Sequence, residues 1–185
     1  EVMGRNCGWL AAESSRIYLK SLDDRIFLDN YNLSKVSWSI DSVLIPEISI
    51  DIEEESERLL RVMDRKDSVN IFLSEGAGIE SIIKEKELKG EDVPRDAFGH
   101  PRLDEINPGS WFANHLKDAL KADKVLIQKS GYFARSAKPN SLDCKLIYDT
   151  ARVAVDCSMN KKSGVVGMDQ DRDGVLSCIN FNRIK

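Results

Sequence analysis

The chain has 185 residues, 42% of them apolar and 31% charged, with a formal net charge of −4. That length allows one α/β domain with a sizeable core, and the mix is that of an ordinary soluble globular protein. The acidic balance excludes a global positive field for nucleic acid or anionic lipid, so any anion site must be built locally. No apolar run approaches the length of a membrane span, and no cationic-then-apolar leader is visible. The four cysteines (Cys7, Cys144, Cys157, Cys178) lack the spacings of zinc or redox motifs and read as buried free thiols. Two histidines, His100 and His115, exclude a histidine-rich metal centre. The chain opens on Glu1 and closes on Arg183-Ile184-Lys185, and both ends are expected to be those of a piece of a larger protein.

EVMGR opens the chain. Trp9, Leu10, Ala12, Ile17 and Leu19 then suit a helix from about Cys7 to Leu22. Gly4 and Arg5 would lie at or just before its N-terminus, where free N–H groups and the helix dipole favour an anion and Arg5 adds a forked donor. Asp23 to Ser42, with Asn30, Asn32 and Ser34, reads as an insertion without a clear period. Ser42 to Ile45 is a short strand stopped by Pro46, and Glu47 reads as a solvated turn carboxylate. Asp51 to Lys66, acidic at its start and basic at its end, suits a helix whose apolar face holds Ile52, Leu59, Leu60 and Met63. Its EEESER run is a solvated face.

Val69 to Leu73 reads as the next buried strand, ending in Ser74-Glu75-Gly76-Ala77-Gly78 ahead of a helix from Ile79. A carboxylate such as Glu75 can accept from sugar hydroxyls, and its small neighbours let a ligand approach the backbone. Lys86 to Pro108 is long, charged and proline-rich, and is expected to be a loop serving as a lid or subunit contact. Ser110 would cap a helix carrying Trp111, Phe112, Leu116 and Leu120, on which His115 is packed or solvated.

Val125-Leu126-Ile127 has the length and branching of a buried strand. It runs through Gln128, Lys129 and Ser130 to Gly131, and then to Tyr132 and Arg135, the makings of an anion pocket at a strand end. Ser141 would cap a helix in which Leu142, Leu146, Ala151, Val155 and Cys157 repeat. Ser163 to Met168 and Val175 to Ile184 read as strands around the DQDRDG turn. Asp169, Asp171, Asp173 and Gly174 match half of a calcium loop, but its twelfth position, Asn180, lacks the carboxylate, so an acidic hairpin turn is the reading. The order α, β, α, β, α, β, α, then β-β argues for a mostly parallel sheet flanked by helices in three layers.

Three strand-end motifs, EVMGRNCGWLA, SEGAG and KSGYFAR, together resemble the sugar-phosphate half of a phosphofructokinase, and more closely its pyrophosphate-dependent branch. The similarity includes the LIPE strand end and SGVVGMD. It implies a partial phosphofructokinase-like α/β fold, with residues 1–185 as a single C-terminal, sugar-phosphate-binding portion of a larger enzyme. It implies that Met3, Gly4 and Arg5 bind fructose 6-phosphate, that Glu75 takes sugar hydroxyls, and that Tyr132 and Arg135 hold the phosphate end or the sugar. Lys129 is added from its charge and its place beside the pocket. The implied chemistry is transfer from pyrophosphate to O1 of the sugar in glycolysis, with Mg²⁺, in a cytoplasmic homo-oligomer with no nucleic-acid or membrane partner. The family's catalytic Thr-Ile-Asp-Asn-Asp and donor Gly-Gly-Asp motifs do not occur here, so this chain alone is expected to bind acceptor without turnover. An ATP-dependent phosphofructokinase and a non-catalytic regulatory subunit are the alternatives.

Overall fold

The computed structural model describes residues 1–28, 31 and 34–184, so Asn30 and Asn32 of the expected insertion lie outside the described residues. The chain gathers into two compact units, Glu1–Arg135 and Ser136–Lys185.

In the first unit, helix α1 spans Trp9–Asp23 and the single turn α2 spans Lys35–Trp38. Strand β1 (Ser42–Leu44), helix α3 (Ile52–Lys66) and strand β2 (Ile71–Leu73) form a crossover unit, with β1 and β2 paired in parallel, Ser42 to Ile71 and Leu44 to Leu73. Helices α4 (Ile79–Leu88), α5 (Leu103–Ile106) and α6 (Pro108–Ala119) follow. A parallel pair served by helices bears out the α/β class, because a parallel connection needs a crossover rather than a tight turn.

Local chemistry explains these elements. Asp51 caps α3 by accepting from the Glu53 and Glu54 N–H groups, and Arg65 and Lys66 close its last turn. Val62 joins Leu59 on its buried face. Lys66 Nζ lies 2.7 Å from Asp41, both nearly enclosed, and Asp41 accepts the Asn70 N–H at 2.8 Å. That pair fixes where β1 and β2 begin. Leu44, Leu73, Ala77, Ile82, Ile106 and Phe112 form the main core, and Leu59, Leu116 and Leu120 a second. Each buried leucine contributes about 2 kcal/mol.

Several expectations need correction. The Lys86–Pro108 stretch is not structureless: it holds the end of α4, a hairpin-like turn with an Arg95–Pro101 bridge, and α5. Asp96 organises that turn by accepting from Phe98 and His100 N–H, both at 2.9 Å, and these donors hold its carboxyl below the usual range. Asn107, not Ser110, caps α6: its left-handed backbone and Pro108 at the first helical position start the helix three residues earlier. Val125-Leu126-Ile127 forms no strand, and the three are 40, 80 and 44% exposed. The backbone bonds lie at its neighbours: Gln128 O accepts from the Glu1 nitrogen and Ser130 N–H donates to Glu1 O. Finally, the cysteines are free but not buried: Cys7 and Cys144 are exposed, Cys157 and Cys178 half-buried.

The second unit is helix α8 (Ser141–Met159) and the antiparallel hairpin of β3 (Val165–Asp169) and β4 (Val175–Ile179). Asn140, rather than Ser141, caps α8 in a reciprocal capping box with Asp143. The DQDRDG turn is the hairpin turn expected. Asp169, 2% exposed, accepts a fork from Arg183, with Nη1 to Oδ2 at 2.8 Å and Nη2 to Oδ1 at 2.5 Å. β4 stops at Ile179, short of the expected Ile184, because Asn180 caps a 3-10 turn over Phe181–Arg183 that carries this arginine. No described helix is long and apolar enough to cross a membrane.

Candidate functional site

Glu1 and Val2 form the middle of the site. On one side, Val2 N–H donates to Leu73 O at 2.7 Å and Glu75 N–H to Val2 O at 2.8 Å, a parallel bridge to the end of β2. On the other side, the Glu1 nitrogen donates to Gln128 O at 2.7 Å and Ser130 N–H to Glu1 O at 3.0 Å, again the parallel pattern. The EVMGR segment is therefore bonded both to SEGAG and to KSG.

The chain then turns at Gly4, whose φ of 146° lies where a side chain would be strained. Gly4 N–H donates to Glu75 Oε1 at 3.1 Å, and the buried Ser74 hydroxyl donates to Gly4 O at 2.7 Å. Gly76 lets the Arg5 carbonyl come so close that a Cβ there would overlap it. These contacts fix Met3-Gly4-Arg5 against Glu75. Met3 packs on the other motif: a Cβ on Gly131 would meet its Cγ at 3.4 Å.

Helix α7 (Gly131–Ser136) begins at that glycine and carries Tyr132 and Arg135, both exposed. They stand three residues apart on a helix and so share a face. Lys129 Nζ donates to Asn107 Oδ1 at 2.9 Å. Arg5 is exposed, and its Nη1 donates to Pro101 O at 3.2 Å. Arg5, Asn6, Ile79, His100, Pro101 and Leu103 border a small hollow. A wider cleft of about 470 Å³ lies among Asp41, Ser42, Asp51, Glu55 and Arg58, but its carboxylates outnumber its guanidinium and no expected site residue lines it.

The helix-terminus argument for Gly4 and Arg5 needs correction. α1 starts at Trp9, beyond both, and Glu47 Oε1 accepts the Gly8 N–H at 2.7 Å. Glu47, expected to be only solvated, is the anion at that terminus. Sequence reasoning also missed Glu1, Ser74, Asn107 and the Pro101 carbonyl. A serine closing a buried apolar run, as Ser74 does, was a readable sign. His115, expected to be packed or solvated, is exposed and stacks on Trp111, 5.3 Å between ring centroids. Among the described residues no group of three His, Cys, Asp or Glu stands where it could hold a metal ion.

No protein-family model matches the chain. It is 50% identical over all 185 residues to a pyrophosphate–fructose 6-phosphate 1-phosphotransferase of Methylomonas methanica, and 50% over 184 to the enzyme of that name from Propionibacterium freudenreichii. A third, from Mastigamoeba balamuthi, is 48% identical over 185 residues. The chain spans a little under half the length of these curated relatives, 45 to 46%. A crystal structure of a pyrophosphate-dependent phosphofructokinase from Nitrosospira multiformis aligns with the whole chain and 42% of its own, with a TM-score of 0.49 and 17% identity. The resemblance carried by the three motifs thus extends over the full chain, which is similar throughout to these pyrophosphate–fructose 6-phosphate 1-phosphotransferases.

Proposed function

We propose that the full-length protein transfers a phosphoryl group from pyrophosphate to O1 of fructose 6-phosphate, and that residues 1–185 together supply the fructose 6-phosphate site. The observation that carries this reading is the double bonding of EVMGR, to SEGAG through Val2 and Gly4 and to KSG through Glu1. The names of relatives at about half identity support it.

In this reading Arg5, Lys129 and Arg135 hold the negative end of the substrate, guanidinium forks suiting phosphate oxygens. Tyr132 lies beside that end. Glu75 spends Oε1 on the Gly4 N–H, and its other oxygen accepts a sugar hydroxyl. Met3 and Gly4 form the wall. The reaction depends on positioning and charge neutralisation, so a fixed acceptor is a large part of it. Mg²⁺ would supply charge neutralisation at the donor, and we assign it, with the catalytic carboxylate, to residues outside this chain. We place the enzyme in glycolysis, in the cytoplasm, as a homo-oligomer.

The test is an assay of the full-length protein with Mg²⁺ and fructose 6-phosphate, offered pyrophosphate or ATP. Fructose 1,6-bisphosphate forming with pyrophosphate and not with ATP is expected. Product from ATP alone overturns the donor assignment. Sugar-phosphate binding without transfer from either donor points to a regulatory subunit.

A further inference from the structure

The side chain of Glu1 is only 10% exposed, and its Oε2 is fully enclosed with no hydrogen-bond partner among the described residues. Burying a carboxylate costs free energy unless charge or hydrogen bonds compensate it. Here Oε1 lies 3.6 Å from Lys129 Nζ, and Oε2 sits over Gly109 at the start of α6, where a Cβ would overlap it. The helix dipole and the ammonium are the compensation. Asn107 joins the cluster with its left-handed backbone (φ 54°), its Oδ1 accepting from Lys129 Nζ at 2.9 Å and from Ser110 N–H at 3.4 Å.

We infer that Glu1 and Asn107 are positioning residues for Lys129, holding its ammonium where a substrate phosphate meets it. The substrate part of this inference rests on the sugar-phosphate reading above. An ammonium has three donors. Asn107 accepts from one of them, the Glu1 carboxylate attracts the charge from 3.6 Å, and the Lys129 side chain is 47% exposed, leaving its outer face open to an anion. Lysine is flexible and loses much rotamer freedom when it is ordered. A side chain already held pays less of that cost at the moment of binding.

The experiment uses the full-length protein with Asn107→Gly, which tolerates the left-handed backbone but removes the acceptor, and Glu1→Gln, which keeps the shape but removes the charge. Acylation of each lysine by limiting acetic anhydride is mapped by mass spectrometry, with Lys124, on the same segment, as internal control. Faster acylation of Lys129 in both variants, with Lys124 unchanged, is expected; an unchanged Lys129 overturns the inference. The apparent KM for fructose 6-phosphate should rise several-fold in each variant and add nothing in a Lys129→Ala background. A penalty that persists undiminished in that background also overturns it. Should the unsubstituted protein not use fructose 6-phosphate, the proposed function falls, and the acylation pattern still decides whether Lys129 is held.

Discussion

Gly76 lies with its α-carbon against the backbone of Arg5, so that a Cβ would stand 2.6 Å from the Arg5 carbonyl carbon and 2.9 Å from Gly4 O. Neither neighbour is a flexible side-chain end that could swing away. Gly76→Ala should push the Met3-Gly4-Arg5 turn outward and cost roughly 1–3 kcal/mol of stability, as overpacked sites do. Fructose 6-phosphate affinity should fall about tenfold or more, since small misplacements of binding groups are expensive. Thermal unfolding and steady-state KM of the full-length protein check both effects.

Arg135, exposed on the first unit's last helix, has no structural duty that the described contacts reveal. Arg135→Ala should therefore leave unfolding unchanged while removing a charged hydrogen-bond donor to the substrate. A loss of about 2 kcal/mol, roughly 30-fold in kcat/KM for fructose 6-phosphate, is expected. An unaltered kcat/KM would remove Arg135 from the site.

Glu47 holds the Gly8 N–H at the start of α1. Glu47→Ala should cost about 1 kcal/mol, the usual worth of a helix cap. Amide exchange should quicken in the first turn of α1 and not in α3, which Asp51 caps independently.

In the hairpin, the Arg183 guanidinium holds the Asp169 carboxyl well below its ordinary 3.8, at about 2, helped by the Asp171 N–H and Ser177 hydroxyl. A carboxylate depressed by folding stabilises the fold above its unfolded value and loses that contribution as pH falls through its folded one. The β3–β4 hairpin should therefore loosen between about pH 4 and pH 2. Amide signals of Asp171 and Ser177 followed through acid titration report it, and Asp169→Asn should remove the dependence at the cost of a weaker hairpin at neutral pH.

Residue order alone determined both ends of α3 within a residue, where an acidic start, a basic end and an apolar period agree, and the start of α4 at Ile79. It also singled out three short segments that the fold bonds to one another, because glycines beside charged residues at strand ends are a local signal. What it left undecided was long-range. Val125 to Ile127 has the composition of a buried strand, but whether it is covered depends on neighbours far along the chain, and here it is not. Glu47 reads as a turn carboxylate until the fold brings it to Gly8, and Glu1 has no meaning until Gly109 and Lys129 close around it. Propensity and period are properties of adjacent residues. Burial, capping across 39 positions and the pairing of charges are properties of the folded chain, and only its tertiary structure sets them.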